Sequence, residues 1–288
     1  MEMSEVLQPP RGVVVEAVTR ALAEDLTPLG DLTSALLPQD LRATARFVAR
    51  DAGVFAGRAC VDETFAQVDP SVTLEWSVDD GDRVEPGSAI ASVSGPLASI
   101  LTGERTALNF LGHLSGIATR TNEYVLEAAR GGDAYVWDTR KTTPGLRVLE
   151  KAAVRAGGGR NHRGNLSDWV LLKDNHIALF GIAEAVARSR EMWPARTVHV
   201  ECDTIEQVHE AIAAGADALL LDNMSPEQIA VCVEVASTSA TRPLLEASGG
   251  ITLDTIAAYS AAGVDCISVG GLTNSAPVLD IGLDIDPA

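Results

Sequence analysis

From Ala134 onward the sequence repeats one pattern, a short and nearly continuous apolar run that ends in polar or glycine residues. The runs are "AYVWDTRK", "WVLLKDN", "TVHVECD", "DALLLDN", "PLLEASGG" and "CISVGG". All but the last lead into an amphipathic stretch such as "IAEAVARSREMW" (Ile182 to Trp193) or "IEQVHEAIAAG" (Ile205 to Gly215), with apolar residues near helical spacing. Strands buried on both faces read as unbroken Val/Ile/Leu runs, so the pattern predicts parallel strands joined by helices. An internal echo supports repeated βα units: "AAGADALLLDN" begins at Ala213 and "AAGVDCISVGG" at Ala261, 48 residues apart. A complete eight-stranded barrel takes about 250 residues, and residues 134–271 supply only 138. The expectation is an open, incomplete α/β barrel of about six parallel strands, with a doubly wound sheet as the alternative.

The first 115 or so residues follow another plan. "VVVEAVTRALAEDL" predicts a helix, and "LRATARFVARDAGVFAG" and "VTLEWSVDDGDRVEPGSAIASVSG" predict strands punctuated by Gly, Pro and Asp turns. Pro96 then opens a long helical region through Arg130, with a break expected near Ser115 and Gly116. An α+β domain of residues 1–115 followed by a barrel domain of 116–288 is the expected organisation, the C-terminal tail packing back on the first. "DDGDRVEPGSAIASVSG" has the look of a biotinyl or lipoyl carrier hairpin, but such a hairpin needs a lysine at its turn, and no lysine precedes Lys141.

Composition narrows the function classes. The formal net charge of −18 opposes nonspecific binding to nucleic acid or anionic membrane. No run of about 18 apolar residues occurs, and "MEMSEVLQPPRG" lacks a basic segment followed by an apolar one. Cys60, Cys202, Cys232 and Cys266 sit in apolar surroundings without CxxC spacing, which argues against a disulfide frame or zinc site and fits the reducing cytoplasm. Against this acidic background, all three lysines, Lys141, Lys151 and Lys173, fall between Asp138 and His176. A local basic cluster in an acidic chain points to a small anionic ligand.

Parallel α/β architectures bind ligands at the C-terminal edge of their strands. The residues at those ends are Arg140 and Lys141, Lys173, Glu201, Asp222, Ser248-Gly249-Gly250 and Gly270-Gly271. The paired glycine turns suit backbone contact with a phosphate. Glu201 and Asp222 close consecutive strands and suit Mg²⁺ shared with a phosphorylated ligand, or ribose hydroxyls; pairing with a nearby Arg or Lys is the plainer alternative. Between the first two strands, "GGGRNHRGNLSD" adds Arg160, His162 and Arg163, whose guanidinium groups suit carboxylates. The residues thus describe a site for one phosphorylated and one carboxylated anion.

"DTRKTTPG", "GGGRNHR", "LLKDNHI", "VHVE", "LLLDNM", "EASGGI" and "ISVGGLT", with "GDLTS" and "GERTALNFLGHLSGIAT" upstream, closely resemble the quinolinate phosphoribosyltransferase family over nearly the whole chain. The resemblance implies an N-terminal α/β sandwich, an open α/β barrel, Mg²⁺ and a homodimer. It implies transfer of a phosphoribosyl group from phosphoribosyl pyrophosphate to quinolinate, with decarboxylation to nicotinate mononucleotide, as in NAD biosynthesis. By the same resemblance Arg105, Arg140, His162, Arg163 and Lys173 bind quinolinate, with Arg105 contributed to the partner's site, and Thr139 belongs to the substrate-binding set. Lys141, Glu201, Asp222, Ser248, Gly249, Gly250, Val269, Gly270 and Gly271 serve the phosphoribosyl and pyrophosphate groups and their metal, and Lys141, Lys173, Glu201 and Asp222 form the catalytic set. Two rivals stand beside this reading: a lysine aldolase using Lys173 as a Schiff-base amine, and a non-catalytic binding or transport-associated paralogue.

Overall fold

The computed structural model describes residues 8–285. Contacts divide the chain into two compact units of interleaved segments: one takes the chain up to Asn122, Thr142–Gly158 and the chain from Leu272, the other Glu123–Lys141 and Gly159–Gly271. Among the described residues no helix is long and apolar enough to cross a membrane. All four cysteines are free and buried.

The first unit opens with helix Arg11–Leu26, whose buried residues Val14, Ala17, Val18 and Leu22 recur at helical spacing. Strands β1 (Arg42–Ala49), β2 (Gly53–Val54), β3 (Thr73–Trp76), β4 (Arg83–Val84) and β5 (Ala89–Pro96) follow. Helix Arg58–Val68, which the sequence reading did not mark, lies between β2 and β3. A last strand, Ile281–Ile285, pairs antiparallel with β1 and completes a four-stranded sheet in the order last strand, β1, β5, β3. Two-residue alternation buries Ala45, Phe47 and Ala49 of β1 against Phe55, Phe65, Ile90 and Ile100 in one apolar core.

Helix Leu97–Gly131 runs for 35 residues without interruption, so the break expected at Ser115 and Gly116 does not occur, and position 115/116 lies inside the helix. Packing explains the small residues. Ser115 Oγ accepts from Ala56 N and donates to Ala56 O, each at 3.0 Å. A Cβ on Gly116 would sit 2.0 Å from the Pro277 carbonyl oxygen. Glycine here permits a close backbone approach rather than a bend.

In the second unit, β6 (Tyr135–Trp137), β7 (Val170–Leu172), β8 (Val198–Cys202), β9 (Ala218–Asp222), β10 (Leu244–Ser248) and β11 (Cys266–Ser268) form one parallel sheet. Its order is β6-β11-β10-β9-β8-β7. From β7 to β11 each strand neighbours its successor, without the order reversal of a doubly wound sheet. The two edges are brought together by rings: Trp137 of β6 lies 6.4 Å from Trp169 beside β7, and His162 and His199 pack on Trp169 at 5.0 and 5.2 Å. Side chains therefore close a seam that backbone hydrogen bonds leave open, giving the six-stranded open barrel.

Two predictions follow from this packing. Alanine is about 1 kcal/mol better than glycine inside a helix, yet Gly116→Ala is expected to destabilise by about 1–3 kcal/mol, because the added methyl meets backbone that cannot rotate away; the melting temperature reads the sign. The second concerns His199, which burial pulls from 6.5 down to about 4, with Glu246 opposing. A group whose folded pKa lies below its unfolded value is protonated first in the unfolded chain, so stability falls as pH drops from 6.5 towards about 4. His199→Gln is expected to lessen the loss of unfolding free energy between neutral pH and pH 4 by on the order of 2–3 kcal/mol. Equal losses in urea titrations of the two proteins would show that His199 is not buried neutral.

Candidate active site

At the C-terminal ends of the parallel strands lies a cavity of about 430 Å³. Strand alternation selects its floor: Leu171 and Lys173, Leu220 and Asp222, and Glu246 and Ser248 are pairs two residues apart, so each pair points to one face. Ser268 joins them from β11, and Thr139, Arg140 and Lys141 after β6 with His162 and Arg163 from the following loop form the rest of the lining. Of the residues named from sequence, Thr139, Arg140, Lys141, His162, Arg163, Lys173, Asp222 and Ser248 line this cavity. Glu201, Gly249, Gly250, Val269, Gly270 and Gly271 do not themselves line the cavity. Arg105 is exposed on helix Leu97–Gly131 and belongs to the first unit. Lys151 is buried in that unit too, so two of the three crowded lysines, not three, reach the cavity.

The basic loop is fixed by a buried carboxylate that the sequence reading passed over. Asp138 Oδ1 accepts from the His162 backbone N–H at 2.8 Å, and Oδ2 accepts from Asn161 Nδ2 at 2.7 Å. The loop is therefore anchored rather than loosely solvated. Next to His162, burial and then the neighbouring Arg140 guanidinium pull Arg163 below the usual arginine value, while Asp168 and Glu246 oppose them.

Glu201 is mostly buried and forms an ion pair with Lys173, the plainer of the two roles weighed for it. Asp222 stays on the cavity wall, where Oδ2 accepts from Asn223 Nδ2 at 2.6 Å. Asn223 has a φ of 56° and donates its backbone N–H to Ser248 O at 2.9 Å. Gly249, at φ 94°, lies so close that a Cβ would meet Asn223 Oδ1 at 2.3 Å. The glycine turn after β10 is thereby locked to the carboxylate turn after β9. Likewise a Cβ on Gly270 would lie 2.9 Å from Lys141 Cδ, so glycine leaves room for that lysine.

Deeper in the barrel, Glu246 is fully buried, with His162 Nε2 at 3.3 Å and His199 Nδ1 at 3.9 Å. Burial works to raise the Glu246 carboxyl, but His162, Ser268 and His199 more than offset it and leave it below the usual value. His162, His199 and Glu246 present ligand atoms within 4.8 Å of one another. This trio was not anticipated. Its signal was a histidine and a glutamate inside the apolar runs "TVHVECD" and "PLLEASGG", where a charged group is expensive unless partnered.

Comparison with known proteins agrees with this architecture. Residues 31–115 match the quinolinate phosphoribosyl transferase N-terminal domain, and residues 117–284 match the C-terminal domain of the same name. The chain is 45% identical over 258 residues to a probable nicotinate-nucleotide pyrophosphorylase [carboxylating] of Bacillus subtilis, covering 89% of this chain and 88% of that one. It is 42% identical over 276 residues to the nicotinate-nucleotide pyrophosphorylase [carboxylating] of Mycobacterium leprae, covering 94% and 96% of the two chains. The solved nicotinate-nucleotide pyrophosphorylase from Francisella tularensis superimposes with a TM-score of 0.91 at 37% identity, covering 97% of this chain and 98% of that one. By sequence and by fold, this chain belongs to the quinolinate phosphoribosyltransferase family.

Proposed function

We propose that the protein transfers a phosphoribosyl group from phosphoribosyl pyrophosphate to the ring nitrogen of quinolinate and decarboxylates the product to nicotinate mononucleotide, as a cytoplasmic enzyme of NAD biosynthesis. The observation that carries this reading is the joining of Arg140, Lys141, His162, Arg163 and Lys173 to Asp222 and Ser248 around one cavity in a member of this family. A cationic wall suits a dicarboxylate, and the strand ends with their glycine turns suit phosphate. The ion pair that engages Lys173 is unlike the free amine that Schiff-base chemistry requires.

In this reading Thr139, Arg140, His162, Arg163 and Lys173 hold the quinolinate carboxylates. Lys141, Ser248, Gly249 and Gly250, with Val269, Gly270 and Gly271, receive the phosphate groups. The ring nitrogen attacks the anomeric carbon as the bond to pyrophosphate breaks, and the electron pair leaves with the pyrophosphate oxygen. The alkylated ring nitrogen is now cationic, so it accepts the electrons freed when the adjacent carboxylate departs as carbon dioxide, and a proton takes the vacated carbon. Orienting the two reactants is worth roughly 7–11 kcal/mol in well-aligned systems.

The donor set fits Mg²⁺ held chiefly by the substrate. Asp222 offers a carboxylate at the cavity wall, while Glu201 is shared with Lys173, and Mg²⁺ is commonly held by one or two carboxylates plus substrate phosphates. Bound there, the ion supplies charge neutralisation for the leaving pyrophosphate. Glu201 and Asp222 also orient the ribose hydroxyls.

The test is an assay for pyrophosphate and nicotinate mononucleotide with quinolinate, phosphoribosyl pyrophosphate and Mg²⁺. Turnover is expected with quinolinate and little with nicotinate, which leaves a cation of the wall unpaired; comparable rates with both contradict the dicarboxylate assignment. Asp222→Asn is expected to fold normally and to need more Mg²⁺ for the same rate. A second experiment addresses assembly, since in this reading the protein is a homodimer with Arg105 completing the partner's site. Dimers of Arg105→Ala or of Lys173→Ala are expected to be nearly inactive, whereas their heterodimer, with one intact site, should recover up to about half the wild-type activity. Purified heterodimers as inactive as the folded parents would confine Arg105 to its own chain.

A further inference from the structure

We propose that Glu246 is a positioning residue for the carboxylate-binding wall: it steadies the His162 ring, so that the ring is set before a dicarboxylate arrives. This rests on the substrate reading above. Glu246 sits in the middle of β10, a mostly apolar strand, is wholly buried, and yet borders the cavity. A carboxylate in that position has lost its water and persists only where partners replace it. Its nearest polar neighbours are His162 Nε2 at 3.3 Å and His199 Nδ1 farther off at 3.9 Å, neither of them in full hydrogen-bond geometry. Its charge also acts on Arg163.

An ionised carboxylate only accepts hydrogen bonds. Nε2 is the ring nitrogen that faces the Glu246 carboxylate, at 3.3 Å, so the carboxylate favours a ring orientation that turns a donor toward it. The backbone of the same residue is held by Asp138 at 2.8 Å, and the ring packs against Trp137 at 5.8 Å and Trp169 at 5.0 Å. His162 thus meets one carboxylate through its main chain and another through its side chain. The trio with His199 has the donor types of a zinc site, and within it Glu246 lies nearer to His162, at 3.3 Å, than to His199, at 3.9 Å.

The experiment uses the full chain and Glu246→Gln, which keeps the shape and removes the charge. The KM for quinolinate is expected to rise about tenfold, on the scale of losing one polar contact that orients a binding residue, while kcat and the KM for phosphoribosyl pyrophosphate stay within about threefold. Long-range ¹⁵N–¹H spectra of the five histidine rings, with His162 assigned by its loss in His162→Gln, should show a changed ligand-free His162 ring signal in Glu246→Gln. Glu246→Asp, which restores the charge, should recover part of the quinolinate KM. An unchanged His162 ring signal in Glu246→Gln overturns the proposal, as does a uniform loss in kcat and both KM values together with melting temperature. If Glu246→Gln does not fold, the same spectrum of Glu246→Asp decides, because a carboxylate withdrawn by one methylene must alter the ring signal. If the wild type fails to turn over quinolinate, the substrate reading falls, and the ring spectra still decide whether Glu246 sets His162.

Discussion

Parallel hydrogen bonding in β6 to β11 is the constraint on which the site depends. Antiparallel neighbours would send alternate strand ends to opposite edges, whereas the parallel registers deliver Trp137, Leu172, Cys202, Asp222, Ser248 and Ser268 to a common edge. Alternation then chooses which residues face inward. Leu171 and Lys173 share a face, as do Leu220 and Asp222, and a one-residue slip of any strand would turn its contribution away from the cavity.

Gathering cations in this way creates a repulsion that the fold has to manage. Two unit charges 4 Å apart interact by about 4 kcal/mol at the effective dielectric of a protein surface, so a wall of Arg140, Arg163, Lys141 and Lys173 favours nearby carboxylates. They come from separate elements: Glu201 from β8 against Lys173, Glu246 from β10 against His162, and Asp138 after β6 beneath the loop. These acids serve the basic residues rather than opposing them. The net acidity of the chain and the basic character of its site are compatible because the balance is local.

Much of this was legible in the sequence, for physical reasons that can be named. Unbroken apolar runs disclosed the six parallel strands, and residues at their polar ends disclosed the cavity wall. Gly116 was misleading because glycine signals either a bend or a close contact, and only the position of Pro277 tells which. Helix Arg58–Val68 escaped notice although Cys60, Val61, Thr64 and Phe65 keep helical spacing, since its flanks read so strongly as strands. Asp138 and Glu246 were missed because their roles come from tertiary neighbours: the first holds a loop more than 20 residues downstream, and the second depends on a ring from that same loop. A cut at 115/116 follows chain order with only the C-terminal tail returning to the first domain, while contacts assign Thr142–Gly158 to the first unit as well, an allegiance that no local pattern reveals.

The antiparallel pairing of β1 with Ile281–Ile285 bears on how the protein is made. Ala45 faces Ile285 and Ala49 faces Ile281, so segments more than 230 positions apart in sequence must meet to finish one sheet. Until the segment around Ile285 emerges from the ribosome, one edge of β1 exposes unpaired backbone amides and carbonyls of the kind that invite association with other chains. Translation proceeds at about 5–20 residues per second, so the interval between the emergence of β1 and that of its partner lasts on the order of ten seconds or more. During synthesis the first unit therefore keeps an unpaired strand edge for longer than its small size suggests.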